Sequence, residues 1–217
     1  MSCAICQKRK EKRFCPAIHG RICPQCCGES REVTLDCPSE CVYLRQAREH
    51  EKSRPLQDLD QSELFPQVEI GEQFLYEQEH LLLGLSFALA KSARSDRSLK
   101  DTDLIAALTT LAKTYETLAN SGLFYASPIT NVSQQNIVSE LQIMVKEYRE
   151  AEQKHTGHSR LRDADVLRAL VFLIRMAFGR TNGRPKSRAF VDFLFAQFPE
   201  RQSIATTEEP GNKIILA

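Results

Sequence analysis

Tryptophan is absent from this chain of 217 residues, and cysteine is absent from everything after Cys41. No apolar run approaches the ~18 residues that span a bilayer; the longest is Leu81 to Ala90. The opening residues, MSCAICQKRK, contain no apolar stretch like the core of an export signal, so no signal peptide is read and a cytoplasmic location is expected. A dominant charge is lacking too. Lys and Arg number 29 against 28 Asp and Glu, a formal +1, which gives no reason for whole-chain attraction to nucleic acid or to a membrane. No G-x-S-x-G, H-E-x-x-H or nucleotide-binding glycine loop occurs, and no nucleophile–base constellation stands out, so the chain reads as a non-enzyme. What remains is 42% hydrophobic, with enough Leu, Ala, Phe, Ile and Val for a true core. Collagen-like, fibrous, membrane and disordered classes are excluded, and the length suits one or two domains.

All eight cysteines lie between Cys3 and Cys41. Disulfides need an oxidising compartment. Without export, clustered C-x-x-C pairs read instead as metal ligands. The pairs are Cys3-x2-Cys6, Cys15-x3-His19, Cys23-x2-Cys26-Cys27 and Cys37-x3-Cys41, with His50 more distant. Ligands two to four residues apart reach one tetrahedral zinc ion from a tight turn. Two ions need eight ligands, and eight cysteines plus His19 offer nine, so one of His19, Cys26 and Cys27 is spare. A segment of roughly 45 residues with many charges and few large apolar side chains cannot form an adequate core. A structural zinc ion contributes roughly 10–16 kcal/mol of folding free energy to small fingers. Because every candidate ligand can be consumed in closed sites, the expected cofactor is two structural Zn²⁺ per chain.

The order of pairs resembles the cross-brace, treble-clef-type zinc fingers of the HIT and MYND families. That resemblance implies that pairs one and three share one ion and pairs two and four the other. Site one would be Cys3, Cys6, Cys23 and Cys26. Site two would be Cys15, Cys37 and Cys41 with either His19 or Cys27. This sequence departs from the pattern in its Cys-x3-His second pair, its extra adjacent cysteine and its Cys-x3-Cys ending. The resemblance covers about one fifth of the chain. The strings CCGESR and CPSECVYLR also resemble the N-terminus of a group of bacterial proteins, a likeness that supplies no activity.

Charge is unevenly spread. Residues 1–55 carry 11 Lys/Arg against 7 Asp/Glu, residues 56–159 carry 8 against 15, and residues 160–217 carry 10 against 6. The basic run Lys8-Arg9-Lys10, Lys12, Arg13 suggests anion contact. Two Zn²⁺ bound by seven thiolates add −3, however, which reduces the +4 of this segment to about +1 and removes most of the net basic footprint of a nucleic-acid binder.

The rest reads as an all-α bundle of about five helices. The expected division is a double-zinc module over 1–50, a polar linker over 51–67, a helical domain over 68–200 and a flexible tail over 201–217, in which Ile214-Ile215-Leu216 could dock. A short helix is expected at 42–51, then helices near 69–94, 102–120, 133–155, 162–178 and 186–198. Asp101 or Thr102 is the expected cap of the second of these five and Ser133 that of the third. Gly122, Gly157 and Gly179 are the expected stops, and Pro185 and Pro199 bracket the fifth. The fourth is apolar almost all round, from Val166 to Phe178, and should be central. No sheet is expected there.

Two E-x-x-H strings, Glu77/His80 and Glu152/His155, suggest a di-iron bundle. At 100° per residue Glu77 and His80 face water, and Glu152 and His155 sit in a last turn, so this reading is rejected. His155 and His158 with Asp163 and Asp165 form a looser ligand set. The best candidate besides zinc is a basic corner of Arg168, Arg175, Arg180, Arg184, Lys186 and Arg188 around GRTNGRPKSR, which offers an anion two glycines and a helix start. The alternative is that these cations pair with the acidic middle segment. The leading function is a zinc-binding interaction or adaptor protein with a protein partner. The alternatives are a nucleic-acid-binding regulator and an enzyme of unrecognised type in the helical domain. No membrane partner is expected.

Overall fold

A computed structural model describes residues 1–51, 64–125 and 128–200. The expected tail at 201–217 and most of the expected linker lie outside the described residues. The fold is mainly α, with a small Cys-rich region ahead of the helical part. That region holds a two-stranded antiparallel hairpin, β1 (Arg13–Cys15) and β2 (Gly20–Ile22), then α1 (Pro24–Ser30) and α2 (Val42–His50). Six helices follow: α3 (Glu72–Glu77), α4 (Glu79–Ser95), α5 (Asp101–Ser121), α6 (Val132–Thr156), α7 (Asp163–Arg180) and α8 (Ala189–Gln197). None is long and apolar enough to cross a membrane.

Two hydrophobic cores form, with no residue in common. The larger joins α3–α8, and Leu85, Leu108, Leu141, Leu170, Ile174 and Phe190 are sealed from solvent within it. Apolar residues recur at helical spacing along α5 (Leu104, Ala107, Leu108, Leu111, Ala112, Tyr115), so one stripe faces inward. On α7 the buried positions cover more than half of the circumference, and that helix packs against α4, α5 and α8. Gly84 allows α4 and α6 to approach closely, since a Cβ there would lie 2.8 Å from the Met144 sulfur. The smaller core contains Ile22, Leu35 and buried cysteines. Two large apolar side chains are too few to hold a region of this length folded.

Several boundaries differ from expectation. The helix expected over 69–94 breaks at Gln78 (φ −109°, ψ 21°). The hairpin and α1 lack apolar periodicity and come from the cysteine spacing instead. Leu64 and Phe65, read as linker, are buried, and Arg175 donates to Leu64 O (3.0 Å), Phe65 O (2.7 Å) and Val68 O (2.9 Å). The cap of α6 is Asn131, whose side chain accepts from Ser133 N (2.9 Å) and Gln134 N (3.3 Å), rather than Ser133. Gly179 continues α7, which ends at Arg180 with Thr181 as its C-cap. Gly122 does stop α5, with φ 70°, where its missing Cβ removes the strain of a left-handed residue.

Asp101 does not cap its own helix. It is fully buried and accepts from Ser187 Oγ (2.7 Å), Phe190 N (3.1 Å) and Val191 N (3.1 Å), so it satisfies the open first turn of α8 from across the bundle. Asp101→Asn puts an amide donor where an acceptor is needed. It should lower unfolding free energy by about 2 kcal/mol in a urea titration; a loss under about 0.5 kcal/mol would contradict this capping role.

Candidate metal centre

The first two turns of the chain set up the cluster. Cys3 and Cys6 bracket a tight reversal in which Gln7 N donates to Cys3 O (2.8 Å) and Gln7 takes a left-handed φ of 53°. Cys23 follows β2, and α1 begins immediately after it with Pro24 in its first turn, which suits the fixed φ of proline. Cys26 then lies one turn into α1. Hairpin and helix together bring the first and third pairs face to face. The sulfurs of Cys3, Cys6, Cys23 and Cys26 all lie within 4.8 Å of one another. Thiolates at ~2.3 Å from a tetrahedral ion sit roughly 3.8 Å apart, so the four could close on one ion with shifts of under an ångström. All eight cysteines are free thiols. Among the described residues this is the one group of three or more His, Cys, Asp or Glu side chains gathered so tightly.

The surroundings favour the thiolate at Cys3 and Cys6 and oppose it at Cys26. Cys23 N donates to the Cys3 sulfur (3.2 Å) and Cys26 N to the Cys23 sulfur (3.4 Å). Arg9 Nη2 lies 3.6 Å from the Cys26 sulfur, and a second Arg9 nitrogen bonds Gln25. Backbone N–H groups of Lys8 and Arg9 pull the Cys6 thiol down to about 6. Burial raises the Cys3 thiol, but hydrogen bonds from the backbone of Cys6, Cys23 and Ile5 outweigh it, and the net shift is downward. Cys26 is pushed up to about 12, first by burial and then by its contact with Cys23. A bound cation therefore has a ready anion at Cys6 and displaces a proton from Cys26.

The expected second cluster is not gathered in this way: among the described residues, no three of the remaining cysteines bring their sulfurs within 4.8 Å of one another. Cys15, Cys27, Cys37 and Cys41 line one cavity of ≈ 10 Å³, closed by Leu35 and Leu44. Burial raises the Cys37 thiol, with lesser upward effects from Cys15 and Cys41. His19 does not line this cavity. It is exposed at the hairpin corner with φ 48°, and His50 is also exposed.

The helical ligand strings are scattered. Glu77 and His80 are exposed or nearly so, and Glu77 accepts from Gln73. Glu152 Oε2 clamps the following loop by accepting from Ser159 Oγ (2.8 Å), Arg160 N (3.1 Å) and Leu161 N (3.1 Å). Asp163 pairs with Arg149 (2.6 Å) and Asp165 with Arg168 (3.4 Å), while His155 and His158 are exposed.

The six cations of the basic corner mainly engage backbone carbonyls and rings rather than the carboxylates of the acidic middle segment. Arg175 binds the three carbonyls named above. Arg184 Nη1 donates to Gly28 O (3.2 Å) and Arg31 O (2.6 Å), and Lys186 Nζ to Thr34 O (2.6 Å). Arg188 donates to Arg97 O (2.7 Å). Arg180 lies 4.2 Å from the Phe193 ring centroid and Arg168 lies 5.9 Å from that of Phe74.

Arg184 and Lys186 belong to a junction that sequence reasoning missed. Glu32 is 1% exposed, and it accepts from Arg48 (2.8 Å) and Asn182 (2.7 Å) through its carboxylate and from Lys186 N (2.8 Å) through its carbonyl. Arg48 also pairs with Asp192, which accepts from Ser39 Oγ at 2.7 Å. The Cys-rich region is thereby fastened to the α7–α8 connection and to α8. Glu32 and its partners Asn182 and Lys186 come from opposite ends of the sequence, so no local pattern could reveal the contact.

No protein-family model, curated protein or solved structure matches the chain, and the metal reading rests on the geometry of its own cysteines.

Proposed function

We propose that the chain is a zinc-binding interaction protein in which two structural Zn²⁺ ions hold the segment from Cys3 to Cys41 in shape. The observation that carries the metal reading is the four-sulfur cluster of Cys3, Cys6, Cys23 and Cys26. All-sulfur tetrahedral donor sets suit zinc. The second ion belongs to Cys15, Cys27, Cys37 and Cys41, because these four share one small cavity and His19 does not line it. Cys27 is then a ligand and His19 the spare residue. Native mass spectrometry of reduced protein purified without added metal should report two zinc ions per chain, two in His19→Ala and one in Cys27→Ser. A wild-type count of zero would end the metal reading. A count of one, or no loss in Cys27→Ser, would end the second site.

The partner of this adaptor is a protein. The supporting surface is an apolar groove of ≈ 220 Å³ between α4, α7 and α8, lined by Leu82, Leu83, Phe172, Met176, Phe193 and Phe198. Leu83 and its neighbour Phe87 are about half exposed. Aromatic and methionine side chains with little charge are the composition of an interface core, and the shape suits the apolar face of an amphipathic helix. A photo-crosslinking residue at position 83 should capture a discrete polypeptide in the source cell, and one at exposed Lys154 should not. Equal capture at both positions, or none at 83, would remove this surface.

A further inference from the structure

The Cys-rich region carries more charge than its metal requires, and the fold sorts that charge by position. Residues 1–22 hold six Lys and Arg against Glu11 alone, whereas residues 23–51 hold three against six Asp and Glu. Averaged over the region, thiolates cancel the excess of cations. In the folded chain the two are separated in depth: Cys3, Cys15, Cys23, Cys26 and Cys27 are buried while Lys8, Lys10, Lys12 and Arg21 are exposed, so an anion at the surface meets the cations first. Two cations already have partners within the chain: Arg9 on Gln25 and the Cys26 sulfur, and Arg13 over the Tyr43 ring at 4.6 Å. Arg21 shares a 3.2 Å ion pair with Glu11 and is still more than half exposed.

An aromatic ring follows Lys12 two residues along the chain. Phe14 is 53% exposed. Hairpin register pairs Phe14 with Arg21, so ring and guanidinium share the outer face, while Cys15 and Ile22 are buried. Exposed Ile18 extends the apolar strip along the turn. Cations that follow a phosphate chain, together with a ring on which a base stacks, are what binding to unpaired nucleic acid requires. An acidic polypeptide would use the cations and leave the ring without a partner. A duplex keeps its bases stacked on one another.

We infer that the outer face of the β1–β2 hairpin binds single-stranded nucleic acid without strong sequence preference, with a base on Phe14 and phosphates at Lys8, Lys10, Lys12 and Arg21. This goes beyond the adaptor reading and uses a different face from the groove at α4, α7 and α8.

The test is fluorescence anisotropy with a labelled 15-nucleotide oligothymidylate and the full, zinc-loaded chain. Four phosphate contacts on a single strand give a slope of about −2.8 in log affinity against log salt, or about 50-fold weakening between roughly 50 and 200 mM. Phe14→Leu keeps apolar bulk at the cysteine cavity and removes the stacking face; it should weaken binding at least about fivefold with the slope unchanged. Lys10→Gln/Lys12→Gln should lower the slope by about 1.4. Both variants should keep the wild-type metal count, which separates lost contact from lost fold. Undetectable binding at the lower salt concentration, an unaffected Phe14→Leu, or competition by polyglutamate or duplex as strong as by single strand would each overturn the proposal. Because position 83 lies on another face, its crosslinking result stands or falls separately.

Discussion

Chelation under reducing conditions should unfold the segment from Cys3 to Cys41 and leave the helices of the larger core in place. The two cores share no side chain, so they can part. The smaller one has Ile22 and Leu35 as its buried large apolar residues apart from cysteines. Ordering the backbone costs ~1–2 kcal/mol per residue, which over this segment far exceeds what two such side chains supply. Metal coordination worth roughly 10 kcal/mol or more per ion closes that gap. Hydrogen exchange is the direct measurement. Amides from Cys3 to Cys41 should lose protection on chelation, while those of α5 and α7 keep it. The connection 181–188 should loosen as well, because Arg184 and Lys186 bond to carbonyls of Gly28, Arg31 and Thr34 within the Cys-rich region. Unchanged protection at Cys3–Cys41 in metal-free protein would show that something other than a cation holds this region.

Arg48→Ala should cost about 3 kcal/mol or more of unfolding free energy, read from the urea midpoint. Arg48 bridges Glu32, which is buried, and Asp192, which is partly covered. Removing the guanidinium leaves the Glu32 carboxylate with Asn182, at 2.7 Å, as its close side-chain donor among the described residues. An uncompensated buried charge is among the costliest single defects. The paired variant Arg48→Ala/Glu32→Gln should recover much of the loss, since it removes the stranded charge. A single-variant loss below about 1 kcal/mol, or no recovery in the pair, would show that the junction does not depend on this ion pair.

Much of the helical part was legible because helices advertise themselves locally. Leu104, Leu108, Leu111 and Tyr115 recur at the period of one helix face, and the nearly continuous apolar circumference of α7 marks a central helix. The break at Gln78 was not legible, since no glycine or proline marks it and Glu77, Gln78 and Glu79 are all good helix formers. The cap of α6 was missed because Asn131 and Ser133 are both good caps two positions apart, and backbone dihedrals decide between them.

Cysteine spacing by itself marked the segment ending at Cys41 as a candidate metal-ligand region, because C-x-x-C pairs bring sulfurs together within a single turn, whatever follows. It did not determine which pairs meet. That required the hairpin and α1, which set Cys3 and Cys6 against Cys23 and Cys26 and send His19 outward. Nor could composition reveal what the C-terminal cations do. Arg175, Arg184 and Lys186 bond to carbonyls of segments far earlier in the chain, and the Glu32–Arg48–Asp192 junction exists only where distant segments pack. Local pattern encodes which face of an element is apolar. Electrostatic partners across long sequence separations arise from packing, and the tertiary structure alone decides them.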